Sequence, residues 1–88
     1  MDFRVSRHAE WEMARRGIPL VLVQAVAGNP EQRVVDESRP GRWIRQSRLQ
    51  FEGGRMYLLR VVVDEDERPP LIVTAYRTSK IEKYWSVI

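Results

Sequence analysis

The change of periodicity at Gly28-Asn29-Pro30 constrains this chain more than any other feature. Before it, apolar residues recur at helical spacing. After it, they alternate in twos or form short runs rich in valine. A glycine, an asparagine and a proline in a row end one kind of structure and start another. The pattern predicts an α+β domain in which two N-terminal helices pack on a four-stranded antiparallel sheet.

The first helix falls within Ser6 to Ile18, S-R-H-A-E-W-E-M-A-R-R-G-I. Ser6 can accept from the orphan N–H groups of the first turn, and Gly17 can take the left-handed conformation that closes the last. Ala9 and Met13 share one face, flanked by Trp11 and Ala14, while His8, Glu12 and Arg15 form a polar stripe on another. The second segment, P-L-V-L-V-Q-A-V-A, has Pro19 at its first turn and Gly28 just past its end. Its valines would also suit a buried strand. Its length and the stop that follows it favour a helix.

Beyond Pro30 the chain reads as sheet. Glu31 to Glu37 is a short first strand, closed by the turn S-R-P-G at Ser38–Gly41. Arg42 to Phe51 is a long second strand, which E-G-G-R turns back as a hairpin. Met56 to Asp64 is the third, and Leu71 to Arg77 the fourth, after the acidic loop E-D-E-R-P-P. Met1 to Val5 is a lead-in strand or coil, and the tail ends with Trp85 packed against the body. Alternation puts Tyr57, Leu59, Val61 and Val63 on one apolar face, with Leu71, Val73 and Ala75 beside them. Arg60, Thr74 and Tyr76 fall on the opposite face, which a two-helix layer leaves uncovered. The second strand can add Gln46 and Arg48 there.

Eighty-eight residues suit one domain, spanning 1–88. The chain has no cysteine and a single histidine, so neither a disulfide framework nor a protein-built metal site is expected, and no cofactor is implied. No apolar run approaches the roughly 18 residues that cross a bilayer, and no signal peptide is evident, so no membrane partner is expected and the expected compartment is the cytoplasm. The basic residues are 13 Arg and 2 Lys, with a net charge of +3 and a pI near 9.8. Arginine makes planar, bidentate contacts to phosphate, which suits a nucleic-acid partner. A GC-rich genome would produce the same bias. Nothing in the sequence bears on oligomeric state.

Two groups of residues can carry chemistry. His8 and Glu12 lie one helical turn apart, so a carboxylate can hold the imidazole in one orientation, or the two can form an ordinary surface pair. Arg60, in the middle of a central strand, needs a partner or water. It can meet a carboxylate such as Asp36 or Glu52, or snorkel to solvent. Alternatively, Arg60 and Arg48 with the hydroxyls of Thr74 and Tyr76 can face a phosphodiester, on a surface suited to stacking unpaired bases.

The motif H-A-x-x-x-M-x-x-R-G-I, an N-P after the second helix, and V-x-T-x-Y-R-T-S-K-I-x-K-Y-W resemble a family of short bacterial domains of unknown function. That family is grouped near the BrnT-like and RelE-like toxins, in the barnase–colicin–RelE-type ribonuclease superfamily. The resemblance runs from Ser6 to Trp85. It implies a RelE-like or barnase-like fold and a metal-independent endoribonuclease toxin, with RNA as substrate and an antitoxin as partner. The family's helix histidine falls on His8, its arginine before the glycine on Arg16, and its terminal-strand pattern on Thr74, Tyr76 and Arg77. Where the family often has Arg four residues after the histidine, this chain has Glu12. That residue suits either orientation of His8 or a member that binds without cutting.

The implied reaction is transesterification, in which the ribose 2′-OH attacks its own phosphate. It requires a base, an acid and cations around the developing charge. His8 is the candidate base or acid, Tyr76 a second proton carrier, Arg60 and Arg77 the phosphorane cations, and Thr74 a positioning group. Lys80, Lys83 and Arg48 would hold flanking phosphates. The alternative is a non-catalytic RNA- or protein-binding module of the same fold. The two readings differ on whether His8 comes within hydrogen-bonding reach of the Arg60 face.

Overall fold

Ser6 opens the first helix of the computed structural model, which describes residues 2–87. Its extended backbone (φ −69°, ψ 157°) lets Oγ accept from the Ala9 N–H at 3.0 Å. Helix α1 spans Arg7–Arg16 and ends at Gly17, whose φ of +65° turns the Ile18 N–H back to the Met13 carbonyl. Both end signals act as the sequence implies. Helix α2 spans Leu20–Gly28, with Pro19 as N-cap and Asn29 as C-cap. Gly28 thus sits inside the last turn rather than beyond it.

A two-residue strand, β1 (Arg4–Val5), precedes α1. Strands β2 (Gln32–Val35), β3 (Arg42–Gln50), β4 (Met56–Asp64) and β5 (Leu71–Thr78) follow α2. A short helix, α3 (Ile81–Tyr84), comes last. The sheet order is β1-β5-β4-β3-β2. All pairs are antiparallel except β1, which runs parallel to β5 with Arg4 beside Leu71 and Val5 beside Ile72. The expected four-stranded antiparallel sheet is therefore a five-stranded mixed one, with three helices rather than two. The lead-in segment had only two paired residues, too few to leave a periodic signature.

Helices α1 and α2 cover one sheet face. Ala9, Met13, Ile18, Val23, Val26 and Ala27 meet Leu59, Val61, Val63, Ile72 and Ala75 in a single apolar cluster. Each large side chain so buried contributes about 1.5–3 kcal/mol relative to exposure. Conformational entropy offsets most of the sum.

Strand parity is interrupted once. The β4–β5 register pairs Val62 with Thr74 but Val63 with Ile72, leaving Val73 as the extra residue of a bulge. Ile72 therefore takes the core position expected of Val73, which is only half-buried. Tyr57, also expected in the core, is half-buried near the end of the sheet, where its ring meets Phe51 edge-on at 5.4 Å. Leu59, Val61 and Ala75 are buried as the alternation implies.

The second face is not open along its length. Leu58 and Val62 are buried there, as are Gln46 and Arg60. The C-terminal segment beyond β5 lies across this side. Gln46 Nε2 donates to the Tyr84 carbonyl at 3.0 Å, and Gln32 exchanges two hydrogen bonds with the Ser86 backbone at 2.8 and 3.0 Å.

Candidate functional site

Arg60 is the centre of the second face. It projects from the middle of β4, opposite Gln46 on β3 and Tyr76 on β5. Its Nε donates to Gln46 Oε1 at 2.9 Å, and its Nη1 to the Tyr76 hydroxyl at 2.6 Å. The Tyr84 ring lies over the guanidinium, 4.4 Å from its Cζ. Only 7% of the residue is exposed.

Both partners are neutral. Among the described residues, Arg60 forms no ion pair, with Asp36, Glu52 or any other carboxylate. Asp36 feels Arg60 only as a weak field. Its carboxyl is held below the usual range first by its hydrogen bonding with Ser38. A guanidinium withdrawn from water without an anion loses several kcal/mol of hydration. The hydrogen bonds to Gln46 and Tyr76 return about 1.5–3 kcal/mol each and stacking on tyrosine about 0.5–2 kcal/mol, so the guanidinium is supplied with partners but not with a counter-charge.

Thr74 stands on the same face, opposite Val62. Arg48 stands there too, opposite Leu58 and so diagonal to Arg60. Its Nη2 meets Glu31 Oε2 at 2.9 Å, and the Glu31 carboxyl, held low chiefly by that arginine's hydrogen bonds, also accepts from the Arg48 backbone N–H at 2.7 Å. The plane of Arg48 lies against the Trp85 ring, 4.2 Å from its centroid. Lys80 and Lys83 line a recess of about 470 Å³ with Ser79, Ile81 and Glu82, at the margin of this face.

Two expected members of the site lie elsewhere. Arg77 is opposite Leu59, on the helix-covered face, and stacks on Phe51 and Tyr57 at 4.6 and 4.8 Å. His8 is on α1, whose Ala9 and Met13 pack on that same helix-covered face. Among the described residues, no hydrogen bond or ion pair joins His8 to Arg60 or Tyr76; its charged neighbour is Glu12, 3.9 Å away.

Glu12 does not orient His8 either. Its carboxylate is 3.9 Å from His8 Nε2, but 2.7 Å from Arg15 Nη2 and 2.6 Å from Arg16 Nη2. The Arg15 hydrogen bond, with the charges of both arginines, holds the Glu12 carboxyl below its usual range against a partial penalty for burial. Helix geometry at i, i+3 and i, i+4 places both cations on it.

Sequence reasoning missed the aromatic partners Tyr84 and Trp85 as parts of this site. The pattern that could have found them is K-Y-W, placed just after a strand whose neighbours carry solitary arginines. A groove of about 510 Å³ between α2 and β3, lined by Leu22, Val26, Asn29, Ser47 and Leu49 among others, contains none of the expected site residues. Among the described residues, no cluster of three or more His, Asp or Glu side chains could hold a metal ion, and no helix is long and apolar enough to cross a membrane.

A family model matches residues 5–77, a span that runs from the last residue of β1 through both long helices and β2, β3 and β4 to Arg77, one residue short of the end of β5. The chain belongs to the DUF4258 family, a domain of unknown function. The DUF4258 match thus takes in His8, Arg60, Thr74, Tyr76 and Arg77 together. No curated protein and no solved structure matches the chain.

Proposed function

We propose that this DUF4258 domain binds single-stranded RNA on the sheet face centred on Arg60. The observation that carries the reading is a buried arginine with neutral partners only: Gln46 and Tyr76 aim it, and no carboxylate among the described residues neutralises it. A phosphodiester supplies the missing charge in the form arginine recognises best. Arg48, Lys80 and Lys83 extend positive charge along the same side, and arginine planes suit the stacking of bases without sequence preference. The net charge of +3 favours the same partner.

A second reading has one observation in its favour. The Tyr76 hydroxyl, 2.6 Å from Arg60 Nη1, puts a proton carrier beside a cation. That pair could serve metal-independent cleavage through the ribose 2′-OH, without His8 or Arg77. In this reading the domain is an endoribonuclease toxin of RelE-like or barnase-like fold, with a cognate antitoxin and a cytoplasmic site of action.

Anisotropy titration of a fluorescein-labelled oligouridylate at low salt tests the first reading. Arg60→Ala should weaken binding at least tenfold, as loss of a desolvated charge-assisted contact does. Unchanged affinity in a folded Arg60→Ala protein sinks it. Incubating the same RNA with wild type and Tyr76→Phe separates cutting from binding: fragments formed by wild type but not by Tyr76→Phe establish the second reading.

A further inference from the structure

Arg48 and Arg60 are diagonal neighbours on one sheet face, a relationship that places them about 7–8 Å apart. Each has an aromatic ring over its guanidinium plane. Tyr84 lies 4.4 Å over Arg60, and Trp85 lies 4.2 Å over Arg48. The two rings are consecutive in the chain. The C-terminal segment therefore offers two π surfaces in succession to two cations, as a dinucleotide would.

We propose that the Arg48 and Arg60 planes form a subsite for two consecutive unpaired nucleobases, and that Tyr84 and Trp85 fill it in the free protein. The proposal rests on the RNA-binding reading above and adds an intramolecular competitor to it.

The segment satisfies the stacking but not the charge. Between Ser79 and Val87 it carries Lys80 and Lys83 against Glu82 alone, so it brings no net negative charge to Arg60. A nucleotide satisfies both requirements, and its phosphate can replace Glu31 on Arg48, where the pair is half-exposed and screened.

The attachment is also of a kind that can be exchanged. No residue of α3 is fully buried, and none beyond Ala75 belongs to the apolar cluster under the two long helices. The hydrogen bonds that hold the segment, from Gln46 to Tyr84 and between Gln32 and Ser86, join neutral groups that water serves equally well once the segment lifts. RNA binding is then reduced by the fraction of molecules in which the subsite is free.

Three full-length variants test this with the labelled oligouridylate. A Tyr84→Ala/Trp85→Ala protein should bind about tenfold or more tightly than wild type, the gain expected when a site mostly occupied by its own chain is vacated. Gln32→Ala keeps both rings and both arginines and should shift affinity in the same direction. A Trp11→Phe/Trp43→Phe protein retains Trp85 as its only tryptophan, and RNA should raise its quenching by acrylamide as the ring leaves Arg48. The double alanine variant binding no better than wild type, with Trp85 quenching unchanged by RNA, overturns the competitor. Weaker binding by that variant also overturns it, since the rings would then be contacts for RNA. Equal binding by wild type and Arg60→Ala overturns the RNA-binding reading itself, a result that the other variants do not produce.

Discussion

Arg16 reaches from the last turn of α1 to the carbonyl oxygen of Ala75 on β5, 2.8 Å away. Its other amino group, Nη2, holds Glu12 at 2.6 Å. Strand β1 pairs only with Leu71 and Ile72, so the rest of β5 has no strand on its outer side. Ser6 Oγ, 3.4 Å from the Val73 carbonyl, and Arg16 fill part of that gap with side chains. An edge so occupied is a poor template for another strand.

Arg16→Ala should therefore lower the melting temperature by about 5 °C or more and promote association at high protein concentration. Arg16→Lys should restore little, because one ammonium cannot span both acceptors as a guanidinium fork does. Thermal melts and light scattering over a concentration series check both. A monomeric Arg16→Ala protein with an unchanged melt would remove the edge-capping role.

Ser6→Ala removes the side-chain acceptor at the start of α1. The expected loss is about 1 kcal/mol, or roughly 4–8 °C in a domain of this size. Ser6→Asp should retain most of the stability, since aspartate caps equally well. Equal melts for wild type and Ser6→Ala would show that tertiary packing alone sets this helix end.

Stability should fall in acid. The Arg42 hydrogen bond holds the Asp64 carboxyl below its usual range, and the Arg33 hydrogen bond does the same for Glu65, with Arg45 adding to it and burial opposing in both. Groups whose folded values are lowered stabilise fully above their unfolded values, about 4, and lose that contribution as pH falls through the folded ones. Urea midpoints should be flat from pH 7 to 5 and decline below about pH 4. Arg42→Gln should shrink the decline by removing Asp64's share.

His8→Gln should leave RNA affinity unchanged, because no hydrogen bond or ion pair among the described residues ties His8 to the Arg60 cluster. The same anisotropy titration measures it. A loss as large as that of Arg60→Ala would put the helix in the interface.

Much of this architecture can be read from residue patterns. Met56–Asp64 has the bounds its Leu-Val run implies, and Ser6 and Gly17 mark α1 as their chemistry requires. The bulge at Val73 is illegible because an added residue within I-V-T-A changes parity without changing composition. The parallel pairing of Val5 with Ile72 is illegible for another reason: it joins two residues of unremarkable type across nearly the whole chain. On the site, Arg60 and Tyr76 share a face by alternation alone. Arg77 follows Tyr76 directly, so the same alternation sends it to the other side; family resemblance, not strand geometry, groups them. The stacking of Tyr84 over Arg60 depends on how the tail returns, and no local periodicity records a return.

Both lysines of the chain, Lys80 and Lys83, belong to the segment that crosses the Arg60 face. Every other basic side chain apart from His8 is an arginine, which stays protonated and inert toward acylating reagents. Among the side chains of these 88 residues, amine chemistry thus addresses this segment alone. Acetylation of Lys83, whose ammonium sits 5.3 Å from the Tyr84 ring centroid, would cancel a charge beside the stacked pair while leaving all 13 guanidinium groups untouched. Mass-resolved acylation rates would then report motion of these few residues directly, with no mutation and no added label elsewhere in the fold.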